Sequence, residues 1–211
     1  MKDFSNIKNI IFDLGAVIIP IDFEKTFQAF SLLSNIPVTE IKSRYLNTSL
    51  FLDFEKGLIG NFAFLKQLRV LLNVDFPITD HQLRDAWNAL LLDIPEDRIN
   101  RILQLTDKYR VFILSNTNPI HIKAVNQILY DFTGSPTLEE VVEHVFYSYD
   151  LGMIKPDPNI YTTALGLFNL LPEETFFIDD NADNIVGAQS IGIHAVLATE
   201  EHTLLEILKH V

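Results

Sequence analysis

The chain has 211 residues, of which 48% are hydrophobic and 21% are charged, values that are ordinary for a globular domain with one well-buried core. It contains no cysteine, which excludes disulfides, thiol catalysis and thiolate metal sites. Its formal net charge of −12 disfavours nucleic acid as a partner, because such a surface repels phosphate backbones. Residues 1–9 lack the apolar core of a secretion signal, and the apolar runs of the chain are too short to span a bilayer. We therefore expect a soluble cytoplasmic protein with no membrane partner.

Five short apolar segments predict the strands of a parallel sheet. The first covers residues 9–17 and leads through Phe12 into Asp13. The others are residues 111–114, 145–147, 175–178 and 194–197. Helical patterns lie between the later strands, over residues 98–107, 158–168 and 185–191, and Asp157-Pro158 is a helix start signal. This alternation predicts an α/β fold with a Rossmann-like doubly wound parallel sheet.

The segment 22–95 differs from the rest of the chain, because it has helical periodicity and few strand signals. Within it, Thr79 and Gln82 have the spacing of a capping box at the start of a helix. We predict an α-helical cap over residues 22–95, inserted after the first strand of a core that comprises residues 1–21 and 96–211.

Polar clusters follow four of the predicted strands. These clusters are Asp13, Ser115-Asn116-Thr117-Asn118, Lys155-Pro156-Asp157 and Asp179-Asp180-Asn181. In an open α/β sheet, ligands bind at the carboxyl ends of the strands. We therefore expect the four clusters to converge on one site.

The residue types in these clusters suit phosphoryl transfer. Carboxylates bind Mg²⁺ together with water and substrate phosphate, and a carboxylate such as Asp13 can accept a phosphoryl group covalently. Lys155 can neutralise the nucleophile and the transferring group as a point charge. Ser115 and nearby backbone N–H groups can hold phosphate oxygens.

The same segments, in this order, resemble the four motifs of the haloacid dehalogenase (HAD) superfamily. They are Phe12-Asp13-Leu14-Gly15, Leu114-Ser115-Asn116, Lys155-Pro156-Asp157 and Phe177-Ile178-Asp179-Asp180-Asn181. The predicted helical insert resembles the cap of that superfamily, and residues 54–59 and 86–88 resemble cap patterns of its phosphatase branch. Four motifs in order, each at a strand end, make a specific signal that covers nearly the whole chain.

The resemblance implies a role for each matching residue. Asp13 would be the nucleophile and a Mg²⁺ ligand, and the backbone carbonyl of Gly15 would be a second ligand. From the fourth motif, Asp180 would bind the metal directly, while Asp179 and Asn184 would act through water. Ser115 and Asn116 would bind phosphate, and Lys155 would bridge the phosphate and Asp13.

The chain departs from the superfamily pattern at Gly15, where most of the phosphatases have a second Asp that acts as general acid and base. Some apparent members of the phosphatase branch share this D-L-G form, including sugar-1-phosphate phosphatases, so a hexose 1-phosphate is one expected substrate. Loss of a general acid costs about 10²–10⁴-fold in rate. We therefore expect slow turnover and a preference for good leaving groups such as anomeric or acyl phosphates.

The sequence favours a Mg²⁺-dependent phosphatase over several alternatives. A phosphomutase needs the acid that Gly15 lacks, a dehalogenase has no use for Asp179 and Asp180, and a receiver domain has its acidic pair early in a shorter chain. A catalytically weak or silent module that binds a phosphometabolite or a protein stays open. The sequence does not determine the oligomeric state.

Two residues of the predicted cap are left with open interpretations. Glu55 and Gly57 either contact the substrate or form the turn that ends a helix. Trp87 is interpreted as part of the cap core, and the six histidines show no metal-binding spacing.

Overall fold

The computed structural model describes residues 6–75 and 77–209, so part of the N-terminal segment 1–9 lies outside the described residues. Its sheet has five parallel strands in the order β3-β2-β1-β4-β5. The strands are β1 (Asn9–Phe12), β2 (Arg110–Ser115), β3 (His144–Tyr147), β4 (Thr175–Asp179) and β5 (His194–Leu197). The predicted α/β class and parallel sheet are confirmed.

Successive side chains of the strands point to opposite faces, so each face of the sheet buries its own apolar cluster. On one face, Ile10 and Phe12 of β1 pack in a cluster that includes Ile99 and Leu129. On the other face, Ile11 of β1 packs in a cluster that includes Ile160. The helices outside the insert are α6 (Glu96–Thr106), α7 (Pro119–Thr133), α8 (Ser148–Leu151), α9 (Pro158–Phe168), α10 (Ala182–Gln189) and α11 (Leu204–Leu208).

The segment between β1 and α6 forms a helical insert with an apolar core of its own. Its helices are α1 (Phe23–Ser34), α2 (Val38–Leu46), α3 (Leu50–Glu55), α4 (Asn61–Leu72) and α5 (Asp80–Asn88). The chain leaves and returns side by side, because the N–H of Asp22 donates to Leu90 and the N–H of Leu92 donates to Pro20. The capping box of Thr79 and Gln82 starts α5, as the sequence predicts.

The first strand is shorter than predicted, since it ends at Phe12 rather than at residue 17. The chain then turns sharply, with Ala16 at φ 58° and the N–H groups of Ile18 and Ile19 both donating to the carbonyl of Leu14. The apolar residues of this turn are buried by side-chain packing rather than by pairing in the sheet. Among the described residues, no helix has the length and apolar content needed to cross a membrane.

Candidate active site

The sheet register brings the predicted clusters together at one edge. Phe12 of β1 lies beside Ile113 of β2 and Ile178 of β4, so the next residues along each strand are also neighbours. Asp13 follows β1 directly, and the N–H of Asp13 donates to the carbonyl of Ile178. The carboxyl ends of adjacent parallel strands therefore hold the nucleophile candidate between the second and fourth clusters.

Lys155 joins two of these clusters from the loop between α8 and α9. Its Nζ lies 2.6 Å from Oδ1 of Asp13 and 2.6 Å from Oδ2 of Asp179. Lys155 is only 3% exposed, and its ammonium also lies over the ring of Phe177. Burial acts to lower the pKa of Lys155, but the two carboxylates outweigh it and the pKa is raised, so the side chain stays charged.

The carboxylates of this cluster carry more negative charge than Lys155 can balance. Burial raises the pKa of Asp13 to about 7, an effect that Lys155 opposes and Asp179 reinforces. Burial and then Asp179 also raise the pKa of Asp180. A nearby divalent cation would favour the ionised forms of these groups.

Asp179 and Asp180 differ in their surroundings although they are adjacent in the sequence. Asp179 is fully buried, and its oxygens accept hydrogen bonds from Lys155, from the Asn184 amide at 2.9 and 3.0 Å and from the N–H of Asn181 at 2.8 Å. Asp180 is exposed. This difference suits Asp180 to direct metal contact and Asp179 to holding Lys155 and Asn184 in place.

The donor set fits a hard divalent cation. Asp13, Asp179 and Asp180 each offer a carboxylate oxygen within 4.8 Å of the others, and when all three are ionised the single ammonium of Lys155 balances only one of their negative charges. The carbonyl of Gly15 accepts a hydrogen bond from the N–H of Val17 at 2.7 Å, which leaves a second lone pair for a metal. Oxygen ligands with this charge are those that Mg²⁺ prefers.

The two predicted phosphate-binding residues at the end of β2 and in the loop after it, Ser115 and Asn116, differ in what their side chains contact. The Asn116 amide donates to the carbonyl of Lys155 at 2.9 Å and accepts from the N–H of Lys155 at 2.8 Å. It therefore fixes the backbone that carries the lysine. Across residues 6–75 and 77–209, the buried hydroxyl of Ser115 makes no hydrogen bond to the protein and is available to a ligand.

A cavity of about 70 Å³ lies between the sheet edge and the helical insert, and Leu14 and Gly15, the two residues that follow Asp13, line it. The core contributes Leu14, Gly15, Ile19, Ser115, Asn116, Thr117, His121 and Val125 to its wall, and the remaining lining residues are Ile21, Phe23, Glu55, Trp87, Leu90 and Leu91. The wall is mainly apolar, but it includes the acidic residue Glu55. Trp87 is buried, and its indole N–H has no partner within the described chain. The cavity thus combines an apolar surface with a few polar groups, as small-molecule sites do.

Sequence reasoning missed the residues that connect the insert to this loop. The Ser148 hydroxyl accepts from the N–H of Thr117 at 2.9 Å and donates to the carbonyl of Glu55 at 2.6 Å. The imidazole of His121 stacks on Trp87, and its Nδ1 lies 2.8 Å from Oδ1 of Asn88. Ser148 directly follows β3, so the strand-end rule that selected Asp13 and Ser115 could have found it.

Comparison with known proteins agrees with the family that the motifs resemble and with the fold. The model of the haloacid dehalogenase-like hydrolase family matches residues 7–192. A D-ribitol-5-phosphate phosphatase of Bacteroides thetaiotaomicron is 32% identical over 186 residues, which cover 88% of this chain and 89% of that protein.

Solved structures extend the similarity to three dimensions. A HAD-family enzyme from Bacteroides thetaiotaomicron, in complex with magnesium and inorganic phosphate, aligns with a TM-score of 0.84 and 34% identity over 92% of this chain and 94% of that one. A Porphyromonas gingivalis protein described as a predicted HAD-like hydrolase aligns with a TM-score of 0.82 and 30% identity, over 92% of this chain and 91% of that one.

Proposed function

The chain belongs to the haloacid dehalogenase-like hydrolase family, and we propose that it is a Mg²⁺-dependent phosphatase that releases phosphate from a small sugar or sugar-alcohol phosphate. The observation that carries this proposal is the buried contact of Lys155 with both Asp13 and Asp179, with Asp180 completing an acidic cluster. This is a charged site at strand ends, with a nucleophile, one cation of its own and room for a metal.

The proposed reaction has two steps on Asp13. An Oδ of Asp13 attacks phosphorus, the bond from phosphorus to the leaving oxygen breaks, and that oxygen takes up a proton. Water then attacks the aspartyl phosphate, the bond from phosphorus to Oδ breaks, and Asp13 returns as a carboxylate with inorganic phosphate released.

The other residues position and stabilise the transferring group. Lys155 neutralises charge on Asp13 and on the phosphoryl oxygens, and the Ser115 hydroxyl donates to one of these oxygens. Because the Asn116 side chain is occupied by the Lys155 backbone, its proposed phosphate contact falls to its backbone N–H. Magnesium held by Asp13, the Gly15 carbonyl and Asp180 would supply electrostatic stabilisation of the same charge.

Two lines of support bear on the substrate class. The relative that is 32% identical to this chain acts on D-ribitol 5-phosphate, a linear sugar-alcohol phosphate. The small cavity that Gly15 and Ser115 line is also lined by Glu55 and Trp87, residues whose polar groups can pair with hydroxyl groups. The D-L-G motif gives anomeric phosphates such as hexose 1-phosphates as the second substrate class to compare.

The test is release of inorganic phosphate from ribitol 5-phosphate, hexose 1-phosphates, hexose 6-phosphates and acetyl phosphate, with Mg²⁺ or with EDTA. We expect release in Mg²⁺ only, and loss of about 10³-fold or more in Asp13→Asn, because the amide cannot accept the phosphoryl group. Asp107→Asn is the matched control, since Asp107 is exposed at the end of α6, and it should keep full activity.

The opposite result would favour the alternative function, a catalytically weak or silent module that binds a phosphometabolite or a protein. If a folded protein that binds Mg²⁺ releases no phosphate from any of these compounds, the phosphatase proposal is wrong. Equal activity of Asp13→Asn and the native protein would show that Asp13 is not the nucleophile.

A further inference from the structure

Lack of space does not explain why the chain has glycine at position 15, where most phosphatases of the superfamily have aspartate. A Cβ atom built on Gly15 would come no closer than 3.5 Å to the side chain of Ile21, which is ordinary van der Waals contact. The residue also lies outside the left-handed region that favours glycine. An aspartate could therefore stand at this position, and its absence leaves the leaving oxygen without the usual proton donor.

Glu55 is a titratable residue in the wall of the cavity that Gly15 lines. It is the last residue of α3, and it shares the cavity wall with Gly15, Ser115 and Asn116. Among the described residues, no hydrogen-bond donor and no cation contacts its carboxyl group. Burial raises the pKa of Glu55 to about 7, with no contribution from a neighbouring charge. A group with a pKa near the working pH can both give and take a proton.

The backbone at the end of α3 is fixed to the loop after β2. The hydroxyl of Ser148, which also accepts from the N–H of Thr117, donates to the carbonyl of Glu55. Two residues later, Gly57 has φ +67° and lies so close to α8 that a Cβ atom would be 2.1 Å from the carbonyl oxygen of Tyr149. These contacts hold the backbone of Glu55 at a defined place beside the loop after β2.

Two titratable neighbours of Glu55, one in the cavity wall and one on α2, stay neutral at physiological pH. Burial lowers the pKa of His121 to about 3, and burial together with Glu55 raises the pKa of Tyr45 to about 12. From α8, Tyr149 has its pKa raised by burial and by Asp150. The α4 helix packs against α3 through the ring of Phe64. Glu55 is therefore the group of this wall that can exchange a proton near neutral pH.

We propose that Glu55, carried by the helical insert, is the general acid and base that replaces the missing aspartate at Gly15. The inference rests on the proposed phosphatase function. In the first step the Glu55 carboxyl gives its proton to the leaving oxygen as that oxygen separates from phosphorus. In the second step the Glu55 carboxylate takes a proton from the attacking water as the bond from phosphorus to Asp13 breaks. The carboxyl is thus restored when phosphate leaves.

The experiment compares the native protein, Glu55→Gln and Asp53→Asn on ribitol 5-phosphate and on 4-nitrophenyl phosphate, with Mg²⁺, over pH 5–9. Asp53 is the matched control, because it lies on the same helix and its carboxylate accepts from Ser49 instead of lining the cavity. We expect Glu55→Gln to lose about 10²–10⁴-fold in kcat on the alkyl phosphate. It should also lose the pH dependence near neutrality, while Asp53→Asn keeps both.

The aryl phosphate separates the two steps. Because 4-nitrophenolate leaves without a proton, Glu55→Gln should release about one equivalent of it in a burst and then turn over slowly, since the water still lacks its base. Adding Gly15→Asp to Glu55→Gln should recover a large part of the activity on ribitol 5-phosphate. This recovery also shows that the loss in the single variant is not a folding defect.

The outcomes separate this inference from the proposed function. Native protein without Mg²⁺-dependent phosphate release would overturn the phosphatase and this inference together. A native enzyme with a Glu55→Gln variant that keeps its alkyl-phosphate rate, or loses both substrates equally with no burst and no change in pH profile, would overturn the role of Glu55 alone.

Discussion

Replacement of Lys155 by methionine tests the electrostatics of the site apart from turnover. Lys155→Met keeps much of the side-chain volume and removes the ammonium that lies 2.6 Å from both Asp13 and Asp179. Asp179 is fully buried and Asp13 is 8% exposed, so both carboxylates lose their charge partner in a place that water reaches poorly. Removing one partner of a buried ion pair costs about 3–5 kcal/mol, and we expect a loss of stability in this range.

Magnesium should reverse part of this loss, because a divalent cation among the three carboxylates replaces the missing charge. A ligand at about 100 times its dissociation constant stabilises the folded state by ~2.7 kcal/mol. We therefore expect the destabilisation of Lys155→Met to be largest in EDTA and to shrink as Mg²⁺ is added. The phosphatase activity should stay low at all Mg²⁺ concentrations, because in the proposed mechanism Lys155 also neutralises the phosphoryl group.

The assay is urea unfolding followed by circular dichroism, with and without Mg²⁺, for the native protein, Lys155→Met and Lys123→Met. Lys123 is exposed on α7, so its replacement should leave stability within about 0.5 kcal/mol of the native value. The reasoning fails if Lys155→Met is as stable as the control in EDTA, or if Mg²⁺ stabilises none of the three proteins.

Two further predictions concern the end of α3. Gly57→Ala places a Cβ atom 2.1 Å from the carbonyl oxygen of Tyr149 at a φ of +67°, so the variant should unfold at lower urea than the native protein. A midpoint unchanged from that of Gly60→Ala, where a Cβ atom meets nothing within 4 Å, would contradict this contact. Glu55→Gln should become more stable relative to the native protein as pH rises from about 4.5 to about 7, because burial disfavours the charged carboxylate in the folded state and its pKa is raised to about 7. The gain should be near zero below this window and reach at most ~3 kcal/mol above it, and thermal melts at pH 4 and pH 8 that show equal differences would refute it.

The sheet could be predicted from the sequence because its strands are buried on both faces and appear as short apolar runs. β5 has the predicted bounds, and the predicted helix over residues 158–168 matches α9. The α7 helix was missed, although Asn118-Pro119 is the same kind of start signal as Asp157-Pro158. Residues 13–17 were mistaken for strand, because burial by a tight turn and burial by a sheet leave the same apolar pattern.

The core of the site was accessible to sequence reasoning because strand order brings together residues that are distant in the chain. Asp13 and Asp179 are separated by most of the sequence, yet the strands that they end are adjacent. The contacts of Asn116 were not predictable, because the direction of an amide depends on the backbone of the loop opposite. The lack of a hydrogen-bond or charge partner for the Glu55 carboxyl could not be predicted either, because it depends on how α3 packs against the rest of the protein.

The predicted preference for good leaving groups and the proposed role of Glu55 exclude each other in the native enzyme. The preference follows from Gly15 only if no other residue supplies the proton. The sequence motif describes the residues at one strand end and contains no information on residues of the helical insert. If Glu55 is the donor, the native enzyme should hydrolyse alkyl and anomeric phosphates at comparable rates, and the preference should emerge in Glu55→Gln. Equal ratios of the two rates in the native and variant proteins would mean that the insert selects the substrate by shape and takes no part in the proton transfer.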